Sequence, residues 1–297
     1  MKNNRLYIIL LLFLSGFYSL SAQDLLKLIE QEQKDTVLYT LATFKATRIA
    51  IGQSVETRKK GVLEWQFMSR FWNIPDRRTQ SFIADKVSAR IGLVYGVSDR
   101  LSFGLGGTTW DGIFDGFLKY RLIWQRTDKK GAPFSITLFQ NASYRSDSYP
   151  NITATDNFRN RLSFTSQLLI ARKFTPNFSL QLTPTYIHRG SLLFPEDRQN
   201  LFALGLGARY KVNNHLAVVS EYHYLTNPIR AVDTFDAFAI GVNWEASDVI
   251  LQFYLTNARN IEVGNFSTQT FNNFNFNDGN LHFGFNFTYV LHLKKKR

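Results

Sequence analysis

The sequence predicts a transmembrane antiparallel up-and-down β-barrel of about twelve strands, and three observations carry that prediction. From Val62 onward, segments of about ten residues alternate apolar and polar side chains, the pattern of a two-faced strand. The gaps between segments are alternately short and long, as in barrels with tight periplasmic turns and longer outer loops. Aromatic residues recur at the segment ends, where girdles meet the lipid–water boundary.

The residues before the alternation concern export. Lys2 and Arg5 precede the apolar run from Leu6 to Leu14, and Ser19, Ser21 and Ala22 follow it, so residues 1–22 read as a signal peptide cleaved near Ala22. The run is too short for a membrane-spanning helix, and no later stretch reaches about 18 apolar residues. A mean hydropathy of −0.18 agrees. The 297-residue chain has no cysteine, which excludes disulfides, thiol chemistry and a lipid-modified N-terminal Cys. The net charge of +12 raises nucleic acid as a partner. The basic residues are scattered rather than gathered on one face, apart from the tail Lys294, Lys295, Lys296 and Arg297, and an exported chain is remote from nucleic acid.

The first six expected strands are Val62–Phe71, Val87–Gly96, Leu101–Thr109, Gly116–Gln125, Phe134–Arg145 and Arg161–Lys173. The second six are Phe178–Arg189, Leu201–Lys211, Leu216–Leu225, Ala237–Glu245, Val249–Thr256 and Leu281–Leu293. Each is long enough to cross a bilayer at a tilt. Short turns such as Val97 to Arg100, Thr175 to Asn177 and Ala246 to Asp248 carry residues that favour tight reversals. An even strand number puts both ends of the barrel on the periplasmic side.

Alternation does not by itself say which face points inward. A barrel of twelve strands has a wide lumen that an all-apolar lining would struggle to close, so the apolar face is assigned to lipid. The other face then lines the interior, with Glu64, Arg70, Arg90, Lys119, Arg121, Arg161, Arg189, Arg209, Glu221, His223, Gln252 and His282 as lumen candidates. Gln66, Gln181, Asn243 and Asn286 share it. Basic groups exceed acidic ones, which favours anions in a water-filled pore. The competing reading pairs these arginines with Glu64, Glu221 and Glu245 to stiffen the wall. Small residues also fall inward: Ser102, Gly104 and Gly106; Ala203, Gly205 and Gly207; Ala237, Ala239 and Gly241. They leave room for water, a solute or part of the chain itself.

Residues 23–61 read as a periplasmic extension or a plug, and residues 62–297 as the barrel. Leu25, Leu26 and Ile29 suggest a short amphipathic helix, and Asp24, Glu30, Glu32, Asp35 and Glu56 make the segment acidic. The loop from Asn257 to Asn280, with Phe266, Phe271, Phe274 and Phe276, is expected to extend the last hairpin above the membrane or to meet a surface partner. The histidines His188, His215, His223, His282 and His292 are dispersed, so no metal site and no cofactor is expected. An outer-membrane lipase would need a Ser and a His to meet on the lipid face. His188 and Ser220 share that parity, but their strands are not sequential neighbours. No enzyme activity is therefore expected.

Several motifs carry a family likeness: Ala42 to Arg48 (ATFKATR), Gln53 to Glu56 (QSVE), Lys60 to Leu63 (KGVL), Tyr95 to Leu101 (YGVSDRL) and Asp115 to Tyr120 (DGFLKY). The chain resembles a Bacteroidetes family of outer-membrane β-barrel proteins known as a domain of unknown function. The resemblance spans nearly the whole mature chain. It implies a barrel in the outer membrane of a Gram-negative bacterium and supplies neither substrate nor catalytic residue. Function is thus expected from the lumen: a passive channel for small polar or anionic solutes, with lipid as the surrounding partner. The alternative is a non-conducting barrel that acts through its long loops.

Overall fold

The computed structural model describes residues 38–73, 84–110, 112–128, 131–146, 157–191, 198–228, 233–275 and 281–293. The expected signal segment, the helix near Leu25 and the tail Lys294 to Arg297 lie outside the described residues. In chain order the strands are β1 (Val62–Trp72), β2 (Lys86–Gly96), β3 (Leu101–Thr108), β4 (Ile113–Ile123), β5 (Ser135–Arg145) and β6 (Leu162–Lys173). They continue with β7 (Phe178–Arg189), β8 (Asn200–Lys211), β9 (Leu216–Leu225), β10 (Ala237–Ala246), β11 (Val249–Thr256) and β12 (His282–His292). Each pairs antiparallel with its chain neighbours, and β1 pairs with β12, so the sheet closes on itself. The expected twelve-stranded up-and-down barrel is the observed one. The clearest boundary difference is β4, which begins at Ile113 and takes Asp115 into the wall opposite Gly106.

Period-two alternation sorts the side chains. In β1, Glu64, Gln66, Met68 and Arg70 point in and are buried, while Leu63, Trp65, Phe67 and Phe71 point out. Register then sets aromatics side by side: Trp65 is opposite Tyr289, Phe71 opposite Phe283 and Phe178 opposite Tyr210. The outer face leaves Leu105 60% exposed, Phe114 62% and Leu118 53%. A belt of this kind is stable only where lipid replaces water.

The packed core is inside the barrel, and two segments that are not strands build it. Residues 43–55 are buried apart from Lys45 and contribute Phe44, Ile49, Ala50, Ile51 and Val55 to a single apolar cluster with Phe117, Phe139, Leu169 and Phe266. This segment enters and leaves at the end of the barrel that carries the β2–β3 and β4–β5 turns. Tyr39 bridges to Arg126 beside the β4–β5 turn, and the Lys60 amide donates to Asp99 in the β2–β3 turn. Residues 43–55 thus occupy the lumen, which a twelve-stranded wall is too wide to fill with its own side chains.

The second segment corrects an expectation. The β11–β12 loop turns inward instead of rising above the membrane, and its helix α1 (Val263–Thr268) is wholly buried. Two forces hold it there: Arg70 Nη1 donates to the Ala258 and Asn260 carbonyls at 2.8 and 2.9 Å, and Phe266 packs edge-on against His223 at 5.0 Å. Phe274 rests on Phe238 at the rim.

The closed β1–β12 seam predicts heat-modifiable gel migration of a membrane-fraction protein. Unboiled barrel should run ahead of boiled chain; a product recovered in the soluble periplasmic fraction, with no shift on boiling, would contradict the lipid-facing assignment.

Candidate functional site: the filled lumen

The plug is a reversal whose tip is built for a carboxylate. The Ile49 amide donates to Gly52 O at 3.1 Å and the Ser54 amide to Thr47 O at 2.9 Å, which folds residues 47–54 back on themselves. The turn leaves the amides of Ala50, Ile51 and Gly52 pointing outward, and Glu221 of β9 accepts all three, at 2.9, 2.6 and 3.1 Å. Successive backbone N–H groups in a turn form an anion-binding concavity. Here the anion is a wall side chain. Gly52 is required at the tip, because a Cβ there would meet Glu221 Oε1 and the His223 ring.

Room for this contact comes from small neighbours. Glu221 is in register with Gly207 of β8 and Ala239 of β10. A side chain at Gly207 would strike Ile49 Cδ1, and one at Gly205 would strike His223. The inward stripe of small residues is thus filled by the chain itself.

The wall engages the plug backbone along its length. Lys119 Nζ donates to the carbonyls of Thr47, Ser54 and Glu56 at 2.8, 3.0 and 3.4 Å. Gln181 accepts from the Val55 amide at 2.7 Å and donates to Gln53 O at 2.7 Å. Gln252 donates to Ile49 O at 2.6 Å, Asn286 to Ala50 O at 2.9 Å and Thr137 to Val55 O at 2.7 Å. Each satisfies a backbone group that would be costly if left unpaired away from water. Arg121 pairs with Glu56 at 3.0 Å, and Arg58 pairs with Glu64, which also accepts from Thr47 Oγ1 at 2.6 Å.

The remaining candidates are placed as follows. Arg90 forms a bidentate pair with Asp115 at 2.8 and 2.6 Å, and Arg209 meets both oxygens of Glu245 at 2.6 and 2.9 Å. Arg70 holds the inward loop, and Arg189 donates to Thr268 of α1. His223 lies between the plug tip and Phe266, with Nε2 3.5 Å from Glu221 Oε1. His282 is buried and meets Asn272 Nδ2 at 3.1 Å. Arg161 departs from the expected position. It stands in a 3-10 turn, Phe158–Arg161, at the rim, half-buried, and donates to Ser146 O. The asparagine-capped turn takes this residue before the strand ladder begins.

The sequence reading missed two parts of the site. The expected fourth strand starts at Gly116 and leaves Asp115 outside it, whereas β4 begins at Ile113 and carries Asp115 on its buried face. In α1, Glu262 caps the helix by accepting from the Asn265 amide at 2.8 Å and from Asn141 Nδ2 at 2.8 Å. Burial holds its carboxyl above the usual range, against the pull of the Gly264 and Asn265 amides. The lipid-face pair considered for a lipase is not assembled. His188 meets Asn200 at 2.8 Å, Ser220 donates to Ala239 O at 3.2 Å, and β8 separates their strands. Among the described residues no group of His, Asp and Glu has the arrangement of a metal site. At the rim that carries the β4–β5 and β6–β7 turns a cleft of about 830 Å³ opens beside Tyr39, Leu41, Arg126, Lys173 and Pro176.

Residues 44–291 match a family described as Membrane bound beta barrel domain (DUF5777). No curated protein sequence matches the chain. Solved structures similar to it include the KdgM porin, at 9% identity and TM-score 0.47 over 78% of this chain and 99% of that one. Another is the COG4313 outer membrane channel from Pseudomonas putida F1, at 13% identity and TM-score 0.46 over 80% and 97%. The fold itself rests on the strand pairing described above.

Replacing Glu221 by Ala leaves three plug amides without an acceptor in a buried place. The Glu221→Ala barrel is expected to lose on the order of 3 kcal/mol of stability in denaturant unfolding. Trypsin should cut it after Lys45 or Arg48 faster than the wild type. Equal cleavage rates in the two proteins would show that this carboxylate does not hold the plug.

Proposed function

This chain belongs to the membrane bound beta barrel family (DUF5777), matched over residues 44–291, and we propose that it is an outer-membrane channel for small polar or anionic solutes, closed by its own N-terminal plug. The observation that carries the reading is the chemistry of the wall behind the plug. Glu64, Gln66, Lys119, Arg121, Thr137, Gln181, Glu221, Asn243, Gln252 and Asn286 are polar and buried, and all but Asn243 hydrogen-bond to residues 47–56. A wall of this composition is compatible with water once uncovered, whereas a permanently packed interior would be filled more stably by apolar groups. Solute passage in this reading requires the plug to leave the lumen or shift within it. The reading includes a Bacteroidetes outer membrane as the location, export with removal of residues 1–22, surrounding lipid as partner and a non-enzymatic role. The lumen-facing residues act as the site, holding the plug when it is in and facing the solute when it is out.

A second reading has its own support. Phe44, Ile49, Ile51 and Val55 of the plug are each at most 2% exposed, and burial of that much apolar surface opposes release. In that case the barrel is a closed structural or surface-binding component of the membrane.

Planar-bilayer recordings of the full-length barrel and of a variant lacking residues 38–57 separate the two. The channel reading expects a closed full-length protein with rare openings, and a steady conductance in the deletion variant with a reversal potential on the anion side. A folded deletion variant that stays closed sinks the channel reading and leaves the structural one.

A further inference from the structure

Where the chain leads into the plug, three pieces of backbone enclose the rim cleft of about 830 Å³. One wall is the strip of residues 38–40, laid along the β4–β5 turn. The Thr40 amide donates to Gln125 O at 2.8 Å and the Thr127 amide to Leu38 O at 3.0 Å. The β6–β7 turn makes the other wall, and Gln125 ties the two together. Its Nε2 donates to Lys173 O at 2.9 Å, and its Oε1 accepts from the Lys173 amide at 2.8 Å. Lys173 Nζ then fastens the strip itself, through the carbonyls of Leu41 and Ala42 at 3.1 and 3.4 Å. The cleft is therefore a built feature of the rim, and its volume falls within the roughly 300–1,000 Å³ of small-molecule sites.

Its lining has two characters. On the apolar side Leu41 is 77% exposed, and Tyr39 and Phe174 are exposed beside it. These residues run into the outer aromatic girdle: Tyr39 packs on Trp124 at 5.6 Å and Phe174 on Phe178 at 6.0 Å. The cleft thus opens at the level where such girdles meet lipid head groups. On the charged side stand Arg126, Arg172 and Lys173 against one carboxylate, Asp128. Arg126 is paired with Asp128 and lies over Gly131, where a Cβ would strike it. Among the described residues Arg172 and Lys173 have no carboxylate partner. Arg172 rests the face of its guanidinium on Phe174, 4.9 Å from the ring centroid, which leaves its N–H edge for an anion. Cations at other turns of this rim are engaged by the chain: Arg100 stacks on Trp124 at 4.4 Å and donates to Leu122 O at 3.3 Å, and Lys211 donates to Asn214 Oδ1 at 3.1 Å.

We propose that the cleft is a binding site for an anionic phospholipid, its phosphodiester against Arg172 and Lys173 and its acyl chains leaving over Leu41 and Phe174 onto the outer belt. A free phosphate has no use for the exposed Leu41, Tyr39 and Phe174, and a lipid without net charge leaves the surplus positive charge unanswered. A ligand that is anionic at one end and apolar at the other uses both sides of the lining. Basic clusters at the membrane surface attract anionic head groups, and guanidinium donors suit phosphate oxygens. Because Lys173 also holds Leu41 and Ala42, the lipid would sit against the strip from which the plug hangs. The site is independent of conduction and uses only the assignment of the outer belt to lipid.

Native mass spectrometry of the full-length barrel tests it, after titration in detergent with phosphatidylglycerol or phosphatidylcholine of equal chain length. One phosphatidylglycerol is expected to bind more tightly than phosphatidylcholine. Arg172→Gln should weaken phosphatidylglycerol about fivefold, the weight of one cation at an anionic surface, and leave phosphatidylcholine unchanged; Arg172→Lys should recover most of the loss. Arg100→Gln, outside the cleft, should bind as the wild type does. Both side chains are exposed, and heat-modifiable migration checks the folding of each variant. Equal affinities for the two lipids, or an Arg172→Gln barrel that binds like the wild type, overturns the proposal. The same loss in Arg100→Gln also overturns it, by assigning the preference to diffuse surface charge. Displacement of the lipid by millimolar inorganic phosphate would make this a site for the free ion and overturns the lipid assignment. A barrel that binds phosphatidylglycerol here but never conducts, with or without its plug, refutes the channel and leaves the lipid site standing.

Discussion

A carboxylate buried in a barrel wall needs donors, and a chain turn buried in a barrel lumen needs acceptors; at Glu221 each requirement meets the other. Three consecutive amides of the plug tip converge on one side chain, so the position of the tip along β9 is set by a single residue. Other features follow from that contact. Gly52 must lack a side chain, Gly207 and Ala239 must be small beside Glu221, and Ile49 must lie in the space over Gly207. Once the tip is fixed, the carbonyls behind it arrive opposite Lys119, Gln181, Gln252 and Asn286.

The plug and the wall divide the chemistry unevenly. The wall supplies nearly all the side-chain donors, and the plug answers mainly with backbone carbonyls. This lets the backbone of the insert sit in a polar lumen with its carbonyls satisfied. It also leaves the electrostatics unbalanced. Pairs such as Arg209 with Glu245 are neutral units that stiffen the wall, whereas among the described residues Arg48, Arg70 and Lys119 donate to carbonyls and to the Tyr254 hydroxyl.

Two inserts from opposite ends of the barrel share this interior. Phe266 of the β11–β12 loop and Gly52 of the plug both touch His223, and Val263 and Phe266 join Ile49 and Ile51 in one apolar cluster. An apolar centre ringed by polar walls is the inverse of the barrel's outer surface, where apolar side chains are exposed. The twelve strands separate these two environments without having to fill the inner one.

By itself the sequence determined the strands, their number and their order, because alternation and turn spacing are local patterns that one chain segment displays unaided; the inward face followed from the width that twelve strands impose. It also exposed the stripe at Gly205 and Gly207 as space for something. What filled that space was decided in three dimensions. Residues 43–56 lack strand alternation, and their hydrogen bonds reach Glu221, Lys119 and Asn286 across long sequence separations. The β11–β12 loop likewise reads as an exposed Asn- and Phe-rich stretch until Arg70 and His223, themselves ordinary inward residues, draw it into the lumen. Whether a polar face lines water or holds a segment of its own chain depends on which backbone groups meet it. Local periodicity does not encode that, and closure of the barrel does.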